Sequence, residues 1–183
     1  MGSYGAANWP GFCAERDSVD LVPGQPLSMT PIPHIDADTP DNYAVATSGT
    51  ASMTLGTANP DGLKSILPFG TLHSFFFACS LPGSLKVPQA CMLNVTATCF
   101  SDLNASPPTL YTYSSMITYT PAGLFDSNMH AVDYTNIDNP SPSGGVVNNY
   151  CREYQFQAVP SEGSASMVAL EIDTVIWNAW FRF

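Results

Sequence analysis

Positively charged side chains are scarce in this sequence, and those present are dispersed. The chain has 183 residues, with five Lys and Arg against fifteen Asp and Glu, which gives a formal net charge of −10. Arg16, Lys64, Lys86, Arg152 and Arg182 each stand alone. Nucleic acids and anionic membrane surfaces are bound through clustered Lys and Arg. The composition therefore argues against both as partners.

Long hydrophobic runs are also missing. A membrane-spanning helix needs roughly 18 apolar residues, but the most apolar stretch, Ile66 to Cys79, is interrupted by Pro68 and Gly70. Hydrophobic residues still make up 45% of the chain and charged residues only 11%, which favours a buried core over disorder. We expect one soluble domain over residues 4–183, after an expression scar at Met1-Gly2-Ser3.

Uninterrupted helical periodicity is a third absence. Sixteen Pro and thirteen Gly leave almost no window for three helical turns. What remains is a series of short alternating runs between turn clusters, typical of an antiparallel β-sandwich or barrel. Two Pro-rich segments, 18–42 and 136–149, are expected to be loops over this sandwich, where binding residues are common. The five predicted strands are Tyr43–Leu55, Leu72–Ser80, Cys91–Phe100, Tyr111–Tyr119 and Met167–Phe183.

Two sequons indicate a secreted glycoprotein. They are Asn94-Val95-Thr96 and Asn104-Ala105-Ser106. Alternation in the run Cys91–Phe100 places Cys91, Leu93 and Val95 on one face and Asn94 and Thr96 on the other, which we expect to face solvent. Five cysteines are also consistent with an oxidising compartment, so we expect an extracellular location.

The cysteine spacing predicts one disulfide directly. Cys79 ends one predicted strand and Cys91 begins the next, and a bridge between them would contribute about 3 kcal/mol through loop closure. We predict a second bridge between Cys13 and Cys151, which would leave Cys99 as an inert buried thiol. A catalytic cysteine is disfavoured, because His34, His73 and His130 are isolated in the sequence and no nucleophile-elbow motif is present.

Four segments resemble a group of small secreted fungal proteins of unknown function. They are the segments 74–79 (SFFFAC), 87–96 (VPQACMLNVT), 169–175 (ALEIDTV) and 40–45 (PDNYAV). In that group the aspartate of the third segment is usually followed by asparagine, whereas this chain has Thr174. The resemblance implies a galactose-binding-like jelly roll, similar to many carbohydrate-binding modules, and it brings no catalytic motif.

Acidic residues suggest two places for a structural calcium ion, with no other cofactor expected. One is the loop sequence D-x-D-x-x-D, since Ca²⁺ prefers hard oxygen ligands. The other is implied by the resemblance, because jelly-roll modules often hold calcium between their first and last strands. The alternative is that these carboxylates only keep a lysine-poor protein soluble. The candidate ligands are Asp36, Asp38 and Asp41 for the loop, and Glu15, Asp17, Asp20 and Asp173 for the strands.

Aromatic residues are the candidates for carbohydrate recognition, which combines flat rings with short polar side chains. Core packing is the alternative for each of them. We predict a non-catalytic protein that binds an extracellular or cell-wall glycan. A secreted effector or surface protein with a protein partner is the alternative, and a jelly-roll hydrolase or lyase, which needs two carboxylates about 5 to 9 Å apart, is the third. The candidate rings are Trp180, Tyr111, Tyr113, Tyr134 and Tyr150, with Trp9 as a further aromatic.

Overall fold

The computed structural model is all-β and almost entirely antiparallel, as the sequence predicted. It describes residues 3–4, 7–8, 13–15, 35–36, 43–55, 67–102, 109–123, 127–134, 151–163 and 167–182, with backbone alone at some positions, including 178–182. Among these residues no helix has the length and apolar character needed to cross a membrane. The strands are β1 (Ser3–Tyr4), β2 (Ala7–Asn8), β3 (Cys13–Glu15), β4 (Ile35–Asp36), β5 (Tyr43–Ala46), β6 (Thr50–Leu55), β7 (Leu67–Leu81), β8 (Ser84–Pro88), β9 (Cys91–Asp102), β10 (Thr109–Tyr119), β11 (Ser127–Asn128), β12 (His130–Asp133), β13 (Cys151–Pro160) and β14 (Ala169–Arg182).

The long strands pair in a nested order. Strand β5 pairs with β14, β6 with β13, β7 with β12 and β9 with β10, all antiparallel. Further pairing gives two sets of strands: β3-β5-β14-β7-β12, the β7 set, and β2-β6-β13-β9-β10, the β9 set. The two sets meet where Cys151 of β13 lies opposite Gly70 of β7. Strand β8 pairs with β7, β1 with β2, and β4 and β11 form a separate parallel pair.

The core lies where the inward side chains of the two sets meet. Along β9 the predicted alternation is confirmed, because Cys91, Leu93 and Val95 are fully buried while Asn94 and Thr96 are only half-buried. Aromatic rings join the sets across this core: Phe75 of β7 packs edge-on against Phe156 of β13, with ring centroids 5.8 Å apart. Such aromatic pairs add to the stabilisation from burial alone.

A glycine divides the predicted strand Tyr43–Leu55 in two, so that prediction of one continuous strand was wrong. Gly49 has φ 71°, a left-handed conformation that favours glycine, and its N–H donates to the Ala46 carbonyl in a tight turn. A Cβ atom at Gly49 would lie 2.6 Å from the Val168 carbonyl oxygen. The turn sends β5 into the β7 set and β6 into the β9 set.

Two disulfides hold the ends of β9. The predicted Cys79–Cys91 bond is confirmed and links β7 to β9. The second bond joins Cys99 to Cys151, which lie directly opposite each other on β9 and β13. The predictions of a Cys13–Cys151 bridge and of a free Cys99 thiol were therefore wrong. Cys13 lies on β3 opposite Val45, in the other set of strands, so the pairing of β13 with β9 decides the partner of Cys151.

The two sets differ on their outward sides. In the β7 set the outward residues Ala78, Ser80, Glu171 and Asp173 are buried, whereas Ser74 and Phe76 are half-buried and Ala131 and Asp133 on the edge strand β12 are exposed. In the β9 set the outward residues are exposed or half-buried, except Phe100 near the end of β9. Accessible surface among the described residues is therefore found on the outer side of the β9 set and along the strand edges.

Candidate functional site

A groove of about 430 Å³ opens between the edges of β10 and β12, which we call the edge groove. Strand β10 pairs with β9 and β12 pairs with β7, and within the described residues no strand pairs with their other edges. The opening between the two sets is therefore bordered by strand backbone on both sides. Its lining residues are Ser114, Ser115, Met116, Ile117, His130, Ala131, Val132 and Asp133.

The edge groove combines apolar surface with hydrogen-bonding groups. Met116 is 58% exposed, and Ile117 and Val132 extend the apolar surface toward the core. His130 and Asp133 are both exposed and offer an imidazole and a carboxylate. The His130 ring is held edge-on against Phe77, with centroids 5.7 Å apart. A ligand carrying both C–H surface and hydroxyls would find partners for both here.

Buried tyrosines lie close to Ser115, one of the residues that line this groove. The Tyr134 hydroxyl is next to the hydroxyls of Tyr113 and Ser115, and the Tyr134 ring packs edge-on against Tyr154. Burial raises the pKa of Tyr113, Tyr134 and Tyr154 above the ordinary tyrosine value, because a phenolate would lose its hydration. At neutral pH these tyrosines are uncharged, and none of them lines the groove.

Tyr113 and Tyr134, two of the predicted glycan-binding rings, are buried in the core, so their role in binding stays a prediction. Their exposed fractions are 7% and 1%, since the inward face of β10 belongs to the core. Tyr111 is half-buried with its ring stacked on Tyr113 at 6.3 Å, so only part of it is accessible. Tyr150 lies outside the described residues, as does Trp9. Trp180 lies on β14 opposite Phe69 in the backbone register, and its role stays a prediction.

The outward side of the β9 set forms a second surface, which we call the polar face. Three rows cross four strands of this set, β6, β13, β9 and β10, in register. They hold hydroxyl and amide side chains with one charged residue, Glu153, and one apolar residue, Met116. Thr96 and Ser114 are hydrogen-bonded, with their hydroxyl oxygens 2.8 Å apart. The rows are Thr54–Glu153–Thr98–Thr112, Ser52–Gln155–Thr96–Ser114 and Thr50–Gln157–Asn94–Met116.

The predicted calcium ligands are only partly described. Asp36 lies on β4 opposite Asn128, and Asp173 is buried with its Oδ1 accepting from the Thr174 N–H at 2.7 Å. Glu15 lies on β3 opposite Tyr43 of β5, and β5 lies between β3 and β14, the strand that carries Asp173. Within the described ranges no three His, Cys, Asp or Glu residues gather as a metal site. Asp17, Asp20, Asp38 and Asp41 lie outside those ranges.

Sequence reasoning missed the edge groove because its two sides are distant in the chain. The pairings of β10 with β9 and of β12 with β7 bring Met116 near His130, although no local pattern connects them. The usable signal was weak: Met116 is an apolar residue at an outward position of an alternating strand.

The comparisons give no relative from which a function can be transferred. The chain matches no known protein family, no curated protein and no solved structure.

Proposed function

We propose that this chain is a secreted, non-catalytic jelly-roll protein that binds a neutral extracellular or cell-wall glycan in the edge groove. The nested strand pairing supports the jelly roll. The outermost pair along the chain is β5 with β14, and the pairs β6 with β13, β7 with β12 and β9 with β10 lie successively inside it. Eight antiparallel strands in two facing sets are the plan of this fold. The resemblance to secreted fungal proteins with a galactose-binding-like domain agrees with it.

The lining of the edge groove carries the proposal. Sugars present C–H faces and hydroxyls together, and the groove offers Met116 and Ile117 for the first and His130, Asp133 and strand-edge amides for the second. The net charge of −10 disfavours an anionic polysaccharide. A neutral glycan is therefore the favoured class of ligand.

Binding without chemistry is proposed because the described lining contains a single carboxylate, Asp133. Glycoside hydrolysis usually uses a pair of carboxyl groups that face the same sugar. Glu171 and Asp173 are two residues apart on β14, but both are buried and neither is among the residues that line the groove.

Secretion is supported by the two disulfides, since both join fully buried cysteines. Disulfides of this kind form and persist in oxidising compartments. A protein exported in this way would meet polysaccharides of its own or a neighbouring cell wall.

Binding to immobilised neutral polysaccharides, measured by affinity electrophoresis and a glycan array, tests the proposal. His130→Ala and Met116→Ala should each weaken binding by about fivefold to tenfold, the effect of losing one hydrogen bond or one apolar contact. Met167→Ala is the matched control, because Met167 is also 58% exposed but lies outside the groove. It should bind as the unchanged protein does.

Two results would reject the proposal. One is a lack of binding to every neutral polysaccharide. The other is loss of binding in Trp180→Ala while both groove variants bind normally, which would move the site to the end of β14.

Recognition of a protein partner is the second candidate, and it is favoured by the edges of β10 and β12, with which no other strand pairs among the described residues. An extended peptide could add to the edge of β10 or β12 through main-chain hydrogen bonds. Hydrogen exchange separates the two functions. Strand addition would protect backbone amides along β10 and tolerate His130→Ala, whereas a bound glycan would be lost in that variant.

A further inference from the structure

Asn94 lies in the polar face, at an outward position of the central strand β9. It is on β9, between Gln157 of β13 and Met116 of β10, and is half-buried. Its Oδ1 is shielded from solvent and makes no hydrogen bond. Asn94 occupies an outward position of β9, in the row Thr50–Gln157–Asn94–Met116. A substituent on Nδ2 would therefore extend away from the sheet.

We propose that Asn94 carries an N-linked glycan that lies over the polar face. The sequon Asn94-Val95-Thr96 supplies the acceptor amide and the required hydroxyl residue. The Nδ2 atom forms a bond to C1 of N-acetylglucosamine in a lipid-linked oligosaccharide pyrophosphate. The bond from C1 to the phosphate oxygen breaks, the lipid pyrophosphate leaves, and Nδ2 loses one proton.

Modification has to precede the pairing of β9. In the folded protein β9 is flanked by β10 and β13, and the Thr96 hydroxyl is bonded to Ser114 at 2.8 Å. An enzyme needs this segment extended and accessible, which is the case only while the chain is entering the secretory pathway. Folding then places the completed glycan on the outer side of the sheet.

The surroundings of Asn94 suit a covering sugar. Hydroxyl and amide side chains occupy most of the three rows, so sugar hydroxyls find partners there without meeting a concentration of charge. Met116, directly opposite Asn94, offers 58% of its surface to the sugar ring and its acetamido methyl group. The glycan would cover Met116, so binding in the edge groove is to be measured on Thr96→Val protein, in which Asn94 is unmodified.

The inference rests on secretion as part of the proposed function and does not depend on glycan binding in the edge groove. The test is to express the full chain behind a secretory leader in a eukaryotic host and to map its peptides by mass spectrometry. Enzymatic removal of an N-glycan converts the asparagine to aspartate and marks the site. We expect Asn94 to be marked.

Two variants of the sequon provide the matched comparison. Thr96→Ser keeps the hydroxyl and should be glycosylated, whereas Thr96→Val keeps the shape of the side chain, removes the hydroxyl and should not be. An unmodified Asn94 in the secreted protein would overturn the inference. The clearest contradiction would be glycosylation of Asn104 with Asn94 unmodified, because it would show that the oligosaccharide-transferring enzyme had acted on the chain but not at Asn94.

Peroxide footprinting tests whether the glycan covers the polar face. Met116 and Met167 are equally exposed, at 58% each. The glycan should slow oxidation of Met116 by about threefold or more relative to the Thr96→Val protein, since oxidation follows exposure. Met167 should oxidise equally in both proteins. Equal rates at Met116 would show that a glycan, if attached, does not lie over this face.

Discussion

The Tyr154 hydroxyl on β13 is hydrogen-bonded to the backbone of β7. It accepts from the Leu72 N–H at 3.0 Å and donates toward the Gly70 carbonyl at 3.4 Å. Tyr154 and Leu72 are fully buried, and the Cys99–Cys151 bond lies close by because Cys151 is opposite Gly70. One phenol therefore satisfies main-chain groups of the β7 set from a strand of the β9 set.

Removing this hydroxyl should weaken the junction between the two sets. In Tyr154→Phe the Leu72 N–H would be left buried without a partner, at a cost of about 1 to 3 kcal/mol in the free energy of unfolding. Urea denaturation with the disulfides intact measures this cost. Tyr111→Phe, at a half-buried tyrosine, is the control and should change stability less. Equal effects of both substitutions would contradict the role assigned to Tyr154.

The buried tyrosines predict a loss of stability at high pH. Burial raises the pKa of Tyr113, Tyr134 and Tyr154 in the folded protein, so above pH 10 the unfolded chain loses phenolic protons that the folded protein keeps. The contribution of these three tyrosines to the free energy of unfolding is fully present below pH 10 and declines as the pH rises above 10. The decline should be about 1.4 kcal/mol per pH unit for each tyrosine, or about 4 kcal/mol for three.

Unfolding by urea at a series of pH values, with tyrosinate absorbance as a second signal, measures this decline. Tyr134→Phe should reduce the slope by the contribution of one tyrosine. Stability that is unchanged well above pH 10, or a slope that no Tyr→Phe substitution alters, would contradict the prediction.

The disulfides should contribute unequally. Cys99–Cys151 closes a sequence separation of 52 and Cys79–Cys91 one of 12. Loop-closure entropy then gives about 4 and about 3 kcal/mol respectively. Replacing each pair by alanine and measuring urea unfolding should show the larger loss for Cys99 with Cys151. Peptide mapping of the unreduced protein is the check, and a Cys13–Cys151 peptide would contradict the pairing.

Local patterns in the sequence predicted the parts of the fold that depend on alternation. The inward and outward faces of β9 and the Cys79–Cys91 bond follow from the spacing of residues within one strand and one short loop. Strand β13 was not recognised, and its register explains why. A β-bulge between Cys151 and Glu153 inserts an extra residue, so the two-residue alternation is broken near its start.

Features set by distant pairing were out of reach of local patterns. Cys99 meets Cys151 because β13 lies beside β9, and Tyr113 is buried because the inward face of β10 packs into the core. The edge groove depends in the same way on β10 and β12 being the last described strands of their sets. These relationships arise from topology, which no single segment encodes.

Thr174 is held in a strained backbone conformation within β14. Its φ is 44°, in the left-handed region that a β-branched residue rarely adopts, and the register of β14 shifts at this point. The Asp173 carboxylate accepts from the Thr174 N–H at 2.7 Å and fixes the turn of the chain. The Thr174 Oγ1 is buried and makes no hydrogen bond.

Asparagine at this position should stabilise the protein. A left-handed conformation costs most L-residues about 1 to 2 kcal/mol, and asparagine tolerates it much better. Thr174→Asn should raise the free energy of unfolding by about 0.5 to 1 kcal/mol, measured by urea denaturation at neutral pH. Thr174→Ala removes the same buried hydroxyl but keeps the backbone penalty, so it should gain less. A gain from alanine equal to that from asparagine would assign the cost to the buried hydroxyl and reject backbone strain as its cause.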